Sequence, residues 1–142
     1  MKNKKDINRV IFNLNESMNN NIEGGTINLT GNINRYTIGA KNIFRAALEY
    51  FNADREHFNR RIEEVLTANY MFYEFPTPFD TLGYWVNFEK GRHYIYVDLG
   101  FRFSDLNDAL KFAKLNNEYA IWDNQENKEI NVNKYLYPYK VK

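Results

Sequence analysis

The sequence contains no cysteine. That absence rules out disulfide staples and thiolate metal sites, so the fold must rest on an ordinary apolar core, and a reducing compartment is permitted. No apolar run approaches the roughly 20 residues needed to span a bilayer, and the N-terminus lacks a signal-peptide core. The expectation is a cytoplasmic protein with no membrane association. Histidine is almost missing: His57 and His93 are the only two. His57 falls in the first turn of a predicted helix near Arg60 and Arg61, a poor setting for a cation, and two histidines do not readily make a zinc shell. Serine is equally scarce. Ser17 and Ser104 both read as helix-end residues, so no nucleophilic Ser-His arrangement is visible. A charge imbalance is lacking too, since 19 basic against 18 acidic side chains give a net +1. A non-specific DNA coat needs a basic field, and a DNA mimic an acidic one; this chain has neither.

What is present is aromatic and amide-rich. Tyr and Phe number 11 each, aromatics reach 17% of the chain, and 22 positions are asparagine. Large aromatics supply much buried area from few positions. The Asn, Lys and Ile usage fits an AT-rich coding genome. With 142 residues, one domain with a real core is expected rather than two.

Periodicity assigns the elements. Ile7, Val10, Ile11 and Leu14 are spaced as one helical face. Residues 1–23 are therefore expected to form a short helix over about 6–17 with Asp6 as its N-cap, or else an arm. Thr26–Thr30 alternates polar with apolar, Arg35–Ile38 follows, and Gly31-Asn32 between them predicts a β-hairpin. Ile43, Phe44, Ala47, Leu48 and Phe51 carry helical spacing, and Asp54 is placed to cap a second helix bearing Phe58, Ile62, Val65 and Leu66. Together these predict a helical hairpin. Tyr70–Phe75 is a short aromatic run that Pro76 and Pro78 stop.

From Leu82 to Val132 the pattern reads strand, strand, helix, strand, strand. Tyr84, Val86 and Phe88 alternate with Trp85 and Asn87, and Glu89-Lys90-Gly91-Arg92 is the turn. Ile95, Val97 and Leu99 then alternate with Tyr94, Tyr96 and Asp98. Ser104 or Asp105 caps a helix carrying Leu106, Ala109, Leu110 and Ala113, which Asn116-Asn117 ends. The fold class is α+β: a small, mainly antiparallel sheet with a helical hairpin and one further amphipathic helix packed on it. The expected domain covers residues 24–133, and residues 134–142 form a C-terminal tail.

Three kinds of site can be read from these residues. Trp85, Arg92, His93, Tyr94 and Tyr96 combine stacking surfaces with cationic donors, and Tyr135 and Tyr137 in the tail make a second contact segment. That mix serves protein–protein hot spots. It also serves sheet platforms for single-stranded nucleic acid, the alternative expectation. Against both stands the reading that the N-terminal elements cover the aromatic face, because so many Tyr and Phe residues cannot all face water. The third kind is enzymatic: Asp98 and Asp123, at strand ends, forming a divalent-ion or acid–base pair. The Glu126-Asn127-Lys128 triplet imitates the E-x-K of metal nucleases, but it falls in a turn and not within a strand. No catalytic residue, metal or cofactor is assigned.

The assembly Leu82-Gly83-Tyr84-Trp85-Val86, Tyr94-Ile95-Tyr96-Val97-Asp98, Asp108-Ala109, Asn117 through Asp123 and Glu129-Ile130 resembles a family of small phage and prophage accessory proteins. Gly24-Gly25-Thr26-Ile27 is similar to the start of the same group. The resemblance implies an accessory phage product with no catalytic residues to carry over. It further implies action by binding a host protein in the host cytoplasm, including inhibition of a bacterial defence system in the manner of an anti-CRISPR protein.

Overall fold

The structure is a computed structural model in which residues 4–71, 79–118 and 120–132 are described, with side chains described for residues 6–68 in the first of these segments. The chain runs α1 (Lys4–Asn20), β1 (Gly24–Asn28), β2 (Tyr36–Ala47), α2 (Leu48–Ala53), α3 (Arg55–Met71), β3 (Thr81–Glu89), β4 (Arg92–Phe103), α4 (Leu106–Leu115), β5 (Ala120–Asp123) and β6 (Lys128–Asn131). The six strands form one antiparallel sheet in the order β1-β3-β4-β2-β5-β6. The fold is α+β.

The sheet's alternation decides where the helices go. On β4, Ile95, Val97 and Leu99 are buried while Tyr94, Tyr96 and Asp98 are only partly so. Every helix packs toward the aliphatic side. Ile7, Leu14 and Met18 of α1, Phe51 of α2, and Phe58, Ile62 and Leu66 of α3 join Leu82, Tyr84, Ile95, Val97 and Leu99 in the larger core. Ala109, Leu110 and Ala113 of α4 pack with Tyr36, Ile38, Ile121, Ile130 and Val132 in the smaller one. Phe101 bridges them, its ring stacked on Phe79 at 5.0 Å and edge-on to Phe112 at 5.5 Å.

Local chemistry fixes the ends of these elements. The Asp54 carboxylate accepts from His57 N at 3.0 Å and starts α3; Asp105 accepts from Asn107 N at 2.9 Å and starts α4. The α4 C-terminus closes through Asn117 at φ 57°, which lets Glu118 N reach Ala113 O at 2.8 Å. The β3–β4 turn places Lys90 at φ 48° and Gly91 at φ 81°, the paired left-handed conformation of a two-residue hairpin loop.

Three sequence expectations are corrected. First, residues 41–47 are strand and not helix. β2 continues to Ala47 and carries two register shifts, between Gly39 and Lys41 and between Asn42 and Phe44. Each bulge inserts a residue and resets the two-residue alternation, so Ile43, Phe44 and Ala47 acquire a helix-like spacing while remaining extended. The helical hairpin is thereby reduced to the six-residue α2 followed by α3. Second, β1 and β2 do not form a hairpin. Gly31 does not adopt positive φ, and the connecting loop is instead tied across the end of the β3–β4 pair. Asp80 accepts there from Thr30 Oγ1 at 2.9 Å, Asn32 Nδ2 at 3.1 Å and Arg102 N at 3.0 Å. Third, the N-terminal segment is a 17-residue helix, longer than the spacing alone predicts, and it supplies core residues. The tail and most of the Tyr70–Phe75 run lie outside the described residues.

Candidate functional site

The side of the sheet turned away from the helices is built from the alternate residues of the same strands. Trp85 on β3 and Tyr96 on β4 are cross-strand partners, and their rings stack at 4.3 Å with planes 9° apart. The residue opposite Trp85 on the other neighbouring strand is Gly24, which contributes no side chain there. Asp98, two positions along β4 from Tyr96, accepts from Trp85 Nε1 at 3.1 Å and from Asn42 Nδ2 at 2.9 Å. Arg45 on β2 lies over the Tyr94 ring at 4.1 Å and the Tyr96 ring at 5.5 Å. Its guanidinium donates to Tyr96 Oη at 3.0 Å and Glu89 Oε1 at 2.9 Å, and Tyr96 Oη also donates to Glu89. Those contacts, the Tyr96 hydroxyl first, hold the Glu89 carboxyl down at about 2.

Beside this aromatic cluster a cleft of about 770 Å³ crosses the sheet. It runs from Gly24, Gly25 and Thr26 past Gly83, Trp85 and Asp98 to Thr37 and Gly39, and on to Ala120, Trp122 and Glu129. Its central floor is Gly39. A Cβ placed there would meet Asp98 Oδ2 at 3.5 Å and Glu118 Oε1 at 3.6 Å, so both carboxylates converge on one point. Asp98 is fixed by its two donors. The Glu118 carboxylate makes no hydrogen bond or ion pair with a described residue; burial, and then the charge of Asp98, push its carboxyl up to about 7. Trp122, paired with Thr37 across β2, forms the far wall and is 42% exposed. Glu23, Asp98, Glu118 and Glu129 line the cleft, and among the described residues no Lys, Arg or His does.

No family model, no curated protein and no solved structure matches this chain.

The expected site residues divide. Trp85, Tyr94 and Tyr96 do come together, with Arg45 as a fourth member. Arg92 sits at the hairpin tip, where its guanidinium contacts Glu49 and lies 5.4 Å from the Tyr50 ring centroid. His93 pairs with Phe88 across the turn, ring centroids 4.8 Å apart, and belongs by register to the side of Ile95. Strand alternation thus separates it from the Trp85 cluster. Arg92 and His93 instead line a smaller hollow of about 390 Å³ with Leu48, Glu49, Asn52 and Gly91. Tyr135 and Tyr137 lie outside the described residues. The described helices pack on the opposite side and leave the half-buried aromatic side uncovered, contrary to the expectation that N-terminal elements pack over it.

The acid pair expected at Asp98 and Asp123 is not assembled. Asp98 faces the cleft, whereas Asp123 shares the helix side with Ile121 and is 2% exposed. It is engaged by Arg35, whose Nε and Nη2 each donate at 2.8 Å, and by Gln125 N and Glu126 N. Its role is to pin the β5–β6 turn. Among the described residues no group of three or more potential ligands is placed to hold a metal. Among the described residues no helix is long and apolar enough to cross a membrane. Sequence reasoning missed Gly39, Glu118 and Trp122 because three separate elements bring them together. The only available signal was Trp122 itself, a large aromatic at the outward position of a strand whose inward neighbours are Ile121 and Asp123.

Proposed function

We propose that this chain is a phage-type accessory protein that acts, without catalysis, by binding a host protein through the uncovered side of its sheet. The observation that carries the reading is the aromatic and acidic surface left bare by all the described helices: the Trp85–Tyr96 stack, Tyr94 under Arg45, and the cleft ending at Trp122. Rigid aromatics on a scaffold of strands supply contact area at little entropic cost, as interface anchors do. The sequence resemblance to small phage accessory proteins supports a host component as the partner, and a component of a bacterial defence system in particular. The charge distribution favours protein over nucleic acid. Four carboxylates line the cleft, and Arg45, beside the aromatic cluster, is already paired with Glu89. Phosphate recognition needs the opposite field.

The test is capture from a bacterial lysate by the intact chain and by two variants. Trp122→Ala alters the uncovered side, and Phe12→Ala alters an exposed residue of α1 (63% exposed) on the helix side. A partner retained by the wild type and Phe12→Ala but lost by Trp122→Ala supports the reading. Identical capture by all three, or capture of nothing, overturns it.

A further inference from the structure

Resting on the protein-binding reading, we propose that the cleft between Trp85 and Trp122 receives a lysine- or arginine-bearing extended segment of the partner, its cationic head held between Asp98 and Glu118. The length of the cleft fits a chain rather than a small molecule. Its lining reaches from β1 to β6 across every strand of the sheet. At a strand spacing of about 4.8 Å, six strands span roughly 24 Å, the length of about seven extended residues. Charge selects which chain. The lining carries four carboxylates and, among the described residues, no base, so a cationic segment is attracted and an acidic one or a phosphodiester repelled.

The centre of the cleft is formed for a cationic head. Gly39 leaves open the space onto which Asp98 Oδ2 and Glu118 Oε1 converge. Asp98 is held in place by Trp85 and Asn42, while Glu118 still has all its acceptor capacity toward described residues. An ammonium or guanidinium placed there gains charge-assisted hydrogen bonds from two sides. The stem of such a side chain packs on indole, and its charge is favoured over an indole face. Trp122 offers an exposed ring at one end of the cleft, and Trp85, half-buried against Tyr96 with glycine opposite it on β1, lines the other.

The experiment uses the intact protein and the emission of Trp85 and Trp122, its only tryptophans. Heptalysine, heptaarginine, a neutral Gly-Ser heptapeptide and a single-stranded oligonucleotide are titrated at low salt. The basic peptides should shift the emission saturably and the other two should not. Asp98→Asn and Glu118→Gln should each weaken binding by about tenfold, a factor that measured binding curves resolve readily. Glu129→Gln, at an exposed rim position with no side-chain partner among the described residues, tests the same field without risk to folding and should weaken binding by about threefold. Equal binding of basic and neutral peptides, unchanged affinity in all three variants, or binding of the oligonucleotide in place of the peptides overturns the proposal. If the peptides fail while Trp122→Ala still abolishes partner capture, this inference falls and the protein-binding reading stands. If the peptides bind as described and no host protein is captured, the cleft's preference for a cationic segment stands and the host-protein reading falls.

Discussion

The indole of Trp85 lies flat against the phenol ring of Tyr96, centroids 4.3 Å and planes 9° apart, and the same indole donates to Asp98. One contact thus links the aromatic cluster to the acidic floor of the cleft. The two residues occupy opposite positions on adjacent strands, and their alternation places them outside the core, so the pair organises surface rather than interior. An aromatic pair of this kind contributes about 1 kcal/mol beyond simple burial. A double-mutant cycle with Trp85→Leu and Tyr96→Leu, followed by urea unfolding, should give a coupling energy of about 1 kcal/mol. Trp85→Leu should also weaken ligand binding, because it frees the Asp98 carboxylate from one of its two donors. A coupling energy indistinguishable from zero would mean that the stack is incidental.

Glu118 predicts an unusual pH dependence of stability. Burial and Asp98 hold its carboxyl at about 7 in the fold, well above the usual 4.3 of an unfolded chain. Between those values the folded state binds more protons than the unfolded one, so this group makes stability fall as pH rises from about 4.3 to 7. The charged groups that line the cleft with it are Asp98 from β4, Glu129 from β6 and Glu23 ahead of β1. All are carboxylates, and none relieves the penalty. Glu118→Gln should flatten that limb and leave the protein more stable than wild type at pH 8. Chemical denaturation at pH 5, 6, 7 and 8 measures it, and parallel curves for the two proteins would rule it out.

Asp123 acts in the opposite direction. Two donors from Arg35 and two backbone N–H groups hold its carboxyl well below the ordinary range. Its stabilisation is present above about pH 4 and is lost as pH falls further. Asp123→Ala removes the partner of Arg35 and undoes the β5–β6 turn. Truncating Asp123 leaves a partly exposed guanidinium without its partner and two turn N–H groups without their acceptor, so stability should fall clearly. Thermal and urea unfolding should therefore detect the loss, whereas an equivalent change at the exposed Glu126 should be nearly silent.

The β5–β6 hairpin and the aromatic side of β3 and β4 were legible because their periodicity is unbroken. Tyr94, Tyr96 and Asp98 alternate strictly with Ile95, Val97 and Leu99, and Asp54, Asp105, Gly91 and Asn117 punctuate as their chemistry dictates. β2 was not legible. Two bulges within five residues turn a strand into a pattern that counts as a helix, and no local rule distinguishes the two. Pairing was equally hidden. Asp80 ties the β1–β2 loop over the end of β3 and β4 from a distance of about 50 residues in sequence, so the expected hairpin was replaced by a crossover. The cleft depended on both errors, because β2 supplies its floor and its wall stands on β5, which β2 alone joins to the rest of the sheet.

Gly39 separates stability from binding. Its added Cβ would meet Asp98 and Glu118 at 3.5 and 3.6 Å, ordinary van der Waals distances, and its φ is not in the left-handed region. Alanine therefore fits without a clash. Removing a strand glycine's excess unfolded-state freedom should keep stability within about 1 kcal/mol of wild type, on the favourable side. The same methyl occupies the space onto which the two carboxylates converge. It blocks a cationic head from reaching both, while leaving every charge in the cleft in place. Gly39→Ala should accordingly melt at or slightly above the wild-type temperature, yet bind heptalysine at least tenfold more weakly. Calorimetric melting and the tryptophan titration, run on one preparation, read the two effects together. A variant that keeps full peptide affinity would show that the cationic head sits elsewhere in the cleft.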